Sequence, residues 1–283
     1  MSTQYLSPDD HWDDPFEIDT TVAHPARRYN YFLDGKDNFE ADRVSGDDAI
    51  ANFPTIKIAA IENRRFLRRA VLFLVKEAGI RQFLDIGTGI PSADNVHEVA
   101  QSVAADARVV YVDNDPIVLA HARRLLSRAS DGTTAYIHAD LRDPAAILDN
   151  LDLRRTIDLR RPTALMLLSV AHFVQDADDP FGHVAKLIAA LAPGSYLAMS
   201  HATLDFMSTA GHEAVDDWHE RERNRTRDPF RPRTKAEFAR FFEGMELIAP
   251  GITPVPEWRN DASPQDRPSA ADTMAYAAVA SIG

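Results

Sequence analysis

The chain has 283 residues, enough for one large domain or a domain with an appendage, and its 45% hydrophobic and 26% charged residues are ordinary for a soluble globular protein. A formal net charge of -12 disfavours general binding to phosphate backbones, although it leaves room for a local basic patch. The absence of cysteine excludes a disulfide scaffold, a thiolate metal site and a cysteine nucleophile.

Residues 1–25 are polar and acidic, with Pro8, Pro15 and Pro25, and predict a flexible arm. Met1 to Thr20 lacks an apolar h-region, so no secretory signal is expected. No apolar run is long enough to span a bilayer, and the expected location is cytoplasmic. Residues 26–78 predict an N-terminal helical cap or lid. Ala26 to Phe53 is rich in Arg, Tyr and Asp, with short helices around a turn at Asp34-Gly35. Residues 56–78 predict one helix, with Ile58, Ile61, Leu67, Ala70, Val71, Leu74 and Val75 largely on one face and Gly79 as its stop.

Residues 79–283 predict the core. Strands Arg81–Ile86, Arg108–Asp113, Thr134–Ala139, Thr163–Val170 and Tyr196–Ser200 alternate with helices Ala93–Val103, Ile117–Ala129, Pro144–Leu148 and Phe181–Leu191. That alternation means a parallel sheet with right-handed crossovers, and apolar runs such as Ala164-Leu165-Met166-Leu167-Leu168 fit strands covered on both faces. A charged stretch, 211–228, breaks the pattern. Thr234-Lys235-Ala236-Glu237 is a capping box opening a helix to Phe242. Glu246–Ile248, extended to Val255, and Met274–Ser281 then predict strands with no helix between them, hence antiparallel neighbours. The expected fold is α/β: a doubly wound, mostly parallel seven-stranded sheet with an antiparallel last strand and an N-terminal helical cap.

In such a sheet a ligand sits beyond the carboxyl ends of the strands. The first strand ends in Asp85-Ile86-Gly87-Thr88-Gly89, where the glycines permit a sharp turn and close approach of a ligand. The helix that follows offers free N–H groups to a carboxylate or phosphate. Asp113, with Asn114 after it, ends the second strand, where an acid can accept hydrogen bonds from a ribose diol. Asp140-Leu141 follows the third, where a carboxylate can accept from an exocyclic amine and a backbone N–H can donate to a purine nitrogen. Taken singly, Gly87 and Gly89 also fit a plain tight turn, and Asp113 a helix N-cap ahead of Pro116.

The core resembles the class I S-adenosylmethionine methyltransferases, whose first motif is an acid followed by Gly-x-Gly. More narrowly, Arg28 to Arg43, Phe83–Gly89, Asn95-Val96-His97-Glu98-Val99-Ala100, Tyr111-Val112-Asp113-Asn114-Asp115-Pro116, Ala192-Pro193-Gly194-Ser195-Tyr196-Leu197 and Pro250-Gly251 are similar to a largely uncharacterised methyltransferase family best populated in actinobacteria. The resemblance runs from about Pro25 to the C-terminus. It implies a Rossmann-like fold and S-adenosylmethionine as cofactor, with S-adenosylhomocysteine as product, and it names no acceptor. One departure is Pro91, where many methyltransferases have a third glycine; proline suits the first turn of a helix. A nicotinamide site is the rival within this fold. It needs a third small residue, and Asp85 would face its diphosphate unfavourably.

Methyl transfer to oxygen or nitrogen can require a general base. His172 follows the fourth strand and His201 the fifth, both at the expected edge, and either could equally be a histidine bonded to a loop carbonyl. Arg64 is a candidate for the cofactor carboxylate, suggested by distant relatives that methylate carboxyl groups; otherwise it belongs to a solvated face with Arg65, Arg68 and Arg69. Tyr29, Tyr31, Lys36, Asp37 and Asn38 could form a lid that selects the acceptor, or an ordinary ordered cap. Asp176, Asp178 and Asp179 make an acidic loop without a histidine pair, and no metal is expected. The resulting expectation is methyl transfer to a small-molecule acceptor. The alternatives are a non-catalytic S-adenosylmethionine or nucleoside-binding module, and a protein or carboxyl methyltransferase.

Overall fold

The computed structural model describes residues 18–126, 133–207, 226 and 228–283. Among the described residues, eight strands form one sheet in the order β3-β2-β1-β4-β5-β8-β6, with β7 also paired to β8. The parallel strands are β1 (Gln82–Ile86), β2 (Arg108–Asp113), β3 (Thr134–His138), β4 (Ala164–Leu168) and β5 (Tyr196–Ala202). The long antiparallel strand is β8 (Ala275–Ser281), which pairs with β5 over its whole length. The polypeptide order reverses between β1 and β4, so the carboxyl ends of these two strands flank the crevice where such sheets bind ligands.

Side chains alternate along each strand, and both faces are covered. Leu84, Ile86, Val110, Val112, Leu165 and Leu167 pack on one side with Val184 and Leu187 of helix α8 (Pro180–Ala189). Phe83, Val109, Tyr111 and Met166 pack on the other with helix α3 (Ile56–Lys76), through Phe66, Ala70, Val71 and Leu74. Ile58 and Ile61, expected on the buried face of α3, are 40% and 43% exposed. The first turns of α3 run beyond the sheet, where helices α1 (Pro25–Phe32) and α2 (Glu40–Asn52) cover only the side carrying Ala60.

The remaining differences from expectation are local. The helix after β1 is α4 (Val96–Gln101), which begins at the capping box Asn95/Glu98 rather than at Ala93. Pro91 therefore lies in a loop, not in a first helical turn. Glu246–Val255 is not one strand. A turn closed by the Gly251 N–H on the Ile248 carbonyl at 2.9 Å splits it into β6 (Glu246–Leu247) and β7 (Thr253–Pro254), both antiparallel to β8, which makes eight strands instead of seven. Helix Leu151–Thr156 was not anticipated. Helix α5 (Pro116–Leu126) is described to Leu126, so its expected end at Ala129 lies outside the described residues, as do residues 1–17 of the arm and most of 211–228. Among the described residues no helix is long and apolar enough to cross a membrane.

One buried ion pair locks α1 to the sheet. The Arg27 guanidinium donates through Nε and Nη2 to the two Asp115 carboxylate oxygens at 2.7 and 2.9 Å. Arg27 is 3% exposed and Asp115 0%. Burial pushes the Asp115 carboxyl up, yet Arg27 and His24 outweigh it and hold the group below its usual value. Losing one partner strands the other charge in the interior. We expect Asp115→Ala to lower the unfolding free energy by about 3–5 kcal/mol in urea titrations, and the double variant Arg27→Met/Asp115→Leu to lose much less. Equal losses would rule out the stranded charge as the cause.

Candidate active site

A cavity of about 260 Å³ lies between the carboxyl ends of the central strands and helices α1–α3. Its strand side is lined by Asp85, Gly87, Thr88, Gly89, Asp113, Asn114, Asp140 and Leu141, so three successive strand ends meet in one place as their spacing suggested. Its cap side carries the apolar Phe32, Phe53, Ile56 and Ala60, and Phe173, just after β4, and Phe230 add to the apolar lining. Arg64, Tyr29 and His172 also line it.

The loop after β1 is held from both sides. Gly87 N–H donates to the Val112 carbonyl at 2.8 Å, and Gly89 N–H donates to Asp113 Oδ2 at 2.7 Å. Both glycines have left-handed backbones, with φ of 73° and 68°. Their surroundings differ. A Cβ on Gly87 would fall on the Val170 side chain, whereas one on Gly89 would meet nothing within 4 Å. Gly87 thus permits close packing of the β4 end, and the free approach expected at both glycines exists only at Gly89. Further along the loop, Arg64 Nη2 donates to the carbonyls of Ala93 and Asp94 at 2.8 and 2.9 Å.

Asp113 also accepts from the Asp115 N–H through Oδ1 at 2.9 Å, so each of its oxygens already holds one backbone group. Burial pushes both Asp85 and Asp113 up to about 7. Asp140 behaves oppositely. Burial raises it, but Arg142 donates to both its oxygens, at 2.8 and 2.6 Å, and Asn114 Nδ2 donates at 2.8 Å, leaving it at about 2. Arg142 also pairs with the buried Asp228 at 2.9 Å, tying the segment before Phe230 to the end of β3.

The two histidines separate. His172 is buried in the cavity wall, and its Nδ1 accepts the Ala202 N–H at 3.3 Å. His201 is 0% exposed and does not line the cavity. Its Nε2 lies 2.9 Å from Arg233 Nη1 and its Nδ1 lies 2.8 Å from the Ala202 carbonyl, while burial and Arg233 push it down to about 3. His201 is therefore not among the residues that this cavity brings together. The expected lid residues divide as well. Tyr29 faces the cavity, its hydroxyl donating to the Ala60 carbonyl at 2.9 Å. Tyr31 turns outward to Asp47 at 2.6 Å, Lys36 is exposed, and Asn38 is spent on Asn30 Oδ1 and the Gly35 carbonyl, both at 3.0 Å. Asp176 of the acidic loop is paired with Arg231 and Arg233 at 2.9 and 2.8 Å, and Asp179 caps α8.

Sequence reasoning passed over several lining residues. Asn63 donates to the Tyr29 hydroxyl at 3.1 Å and accepts from Ser200 Oγ at 2.5 Å. Ser169, just past β4, has φ of 55°, an uncommon conformation for a non-glycine residue, and its N–H is held by the Ser200 carbonyl at 3.1 Å. Its place at a strand end was the available signal. Arg28 and Arg142 carried none, since arginines are frequent throughout the chain.

A family model described as S-adenosyl methyltransferase matches residues 11–283. Among solved structures, a DUF574 family protein from Streptomyces avermitilis is 48% identical with a TM-score of 0.88, the match covering 94% of this chain and 100% of that one. A candidate methyltransferase from Thermobifida fusca is 43% identical with a TM-score of 0.84, covering 93% and 96%. An O-methyltransferase family protein from Burkholderia thailandensis, 12% identical with a TM-score of 0.50 over 83% of this chain and 59% of its own, shares the fold. No curated protein matches the chain.

The contrast between the two glycines is measurable. Gly87→Ala combines a left-handed backbone with overpacking and should cost roughly 2–4 kcal/mol, against about 1–2 for Gly89→Ala. Adding Val170→Ala should recover part of the first loss in thermal unfolding and none of the second.

Proposed function

The chain belongs to the S-adenosyl methyltransferase family, and we propose that it transfers a methyl group from S-adenosylmethionine to a small-molecule acceptor, releasing S-adenosylhomocysteine. What supports the reading is the joining, in one cavity, of Gly89, Asp113 and Asp140 from three strand ends with an apolar wall from the cap. The open space beside Gly89, where a side chain would stand, suits close approach of the cofactor. Asp85 is placed to take the cofactor's ammonium group. Each Asp113 oxygen keeps a lone pair for a ribose hydroxyl beyond its backbone bond. Leu141 N–H and Asp140 fit the purine. The Arg64 contacts to Ala93 and Asp94 both use Nη2, so Nη1 and Nε are its donors for the cofactor carboxylate.

When bound, the sulfonium supplies an already electrophilic methyl group. The chain's contribution is then to align the acceptor and exclude water, which the buried His172 and the half-buried Phe230 in the cavity wall favour. Calorimetric titration with S-adenosylmethionine and S-adenosylhomocysteine tests the reading, and no binding of either at high micromolar concentration overturns it. Asp113→Ala should weaken binding at least about tenfold, since it removes the ribose acceptor and frees the Gly89 N–H.

The raised carboxyls give the binding a pH signature. Asp85 and Asp113 are partly protonated near their values of about 7, and a bound ammonium favours the charged form of Asp85. Binding must then release protons, so affinity should fall as pH drops from about 8 to about 6, by at most about tenfold per unit per carboxylate. Without ligand the sign is opposite. The folded state binds more protons than the unfolded one between about 4 and about 7, so the ligand-free protein should lose stability as pH rises through that window. Thermal melts with and without S-adenosylhomocysteine measure both trends.

A further inference from the structure

A directed chain of hydrogen bonds runs along the cavity wall from helix α3 to the end of β4. Its inner end is the Ala60 carbonyl, which can only accept and takes the Tyr29 hydroxyl proton at 2.9 Å. The Tyr29 oxygen then accepts from Asn63 Nδ2 at 3.1 Å, and that bond sets which way the Asn63 amide points. Asn63 Oδ1 therefore faces Ser200 and accepts its hydroxyl proton at 2.5 Å. With that proton committed, Ser200 Oγ meets Ser169 as an acceptor, of the Ser169 N–H at 3.0 Å and of the Ser169 hydroxyl at 3.3 Å. The distance between the two serine oxygens does not say which one donates; the far end of the chain decides it.

The chain reaches the cavity at both ends. Tyr29, Asn63 and Ser169 line it, whereas Ser200, between Asn63 and Ser169, is 0% exposed and does not. The left-handed Ser169 backbone is fixed against β5, because its N–H also bonds the Ser200 carbonyl at 3.1 Å. With its proton directed to Ser200, Ser169 Oγ has lone pairs to offer and no proton. A group that meets it without disturbing the chain must donate. A carboxylate or an ether would have to draw the Ser169 proton off Ser200 and break that bond. In the sheet, β4 lies on the far side of β1 from β2 and β3, whose ends carry Asp113 and Asp140. Ser169 thus stands apart from the two acids assigned to the nucleoside, and its chain leads to Asn63 and Tyr29 of the cap.

Resting on the methyl transfer proposed above, we propose that Ser169 determines acceptor specificity by accepting a hydrogen bond from an N–H or O–H group of the small-molecule acceptor. The bonds behind Ser169 all run in one direction, so a molecule of the same shape with an ether or a methyl group in that place binds less well. Ser169 orients the donor and takes no proton from it, because the chain ends on the Ala60 carbonyl, which is not a base. The body of the acceptor packs on the apolar lining, which includes Phe32, Ile56 and Phe173.

The test uses the full chain saturated with S-adenosylhomocysteine and four size-matched probes: 5-indanol, 5-aminoindane, 5-methoxyindane and 5-methylindane. Calorimetry should show the alcohol or the amine binding about five-fold or more tightly than both probes without a donor, the effect of one neutral hydrogen bond. Which of the two leads separates O–H from N–H. Ser169→Ala should remove that preference and leave the affinity for S-adenosylhomocysteine within about two-fold. Ser169→Gly, which suits the left-handed backbone, should do the same and covers the case in which the alanine variant does not fold. Ser200→Ala takes away the acceptor that holds the Ser169 proton, so 5-methoxyindane should gain on 5-indanol there. Tighter binding of 5-methoxyindane than of both donors to the unaltered chain, no difference among the four probes, or a donor preference that persists in the Ser169 variants would each overturn the proposal. Failure of S-adenosylhomocysteine to bind at all would instead overturn the methyltransferase reading on which it rests.

Discussion

The arrangement depends on the buried pair between Arg27 and Asp115. Asp115 stands two residues after Asp113, at the end of β2, and its own N–H bonds back to Asp113 Oδ1. Asp113 in turn holds Gly89. One short segment, Asp113-Asn114-Asp115, therefore sets the glycine loop with its first acid and anchors the cap helix with its last. A buried pair is weak evidence for net stability, because desolvation offsets much of the attraction. Its directional bonds nevertheless specify a register. Arg27 also donates to the Asp19 carbonyl at 2.7 Å, so the chain leading into α1 is fixed by the same side chain.

Burial is the second organising effect, and it acts in opposite directions on acids and bases. The low dielectric of the cavity disfavours any charge, so Asp85 and Asp113 become weak acids while His172 becomes a weak base. Asp140 escapes because Arg142 and Asn114 bond it directly. The site thus combines carboxyls that can gain charge when a cation arrives with an imidazole that burial keeps neutral.

The loop after β1 departs from the wider class in a way that Pro91 announces. The helix starts only at Val96, and the chain between Gly89 and Asn95 crosses without helical hydrogen bonds. Arg64 supplies the missing donors by bonding the Ala93 and Asp94 carbonyls. A residue that the sequence offers either as a ligand contact or as part of a solvated arginine face is thus a brace for the loop that lines the cavity. Its place near the cavity follows from its position on α3, whereas its partners depend on how the distant loop folds back.

By itself the sequence determined the sheet, its antiparallel ending, the three strand-end acids and the family. These are carried by local periodicity and by contiguous strings such as Phe83–Gly89, which specify backbone conformation within a few residues. The tertiary structure decided what depends on contacts between distant segments. His172 and His201 look alike in sequence, each just beyond or within a strand end, yet Arg233 from a later segment buries one of them away from the cavity. Tyr29 and Tyr31 lie two residues apart on one helix, and about 200° of helical rotation sends only the first inward. The proton on His172 was likewise beyond sequence, because it is set by the N–H of Ala202, thirty positions away along the chain and adjacent only once β5 lies beside β4.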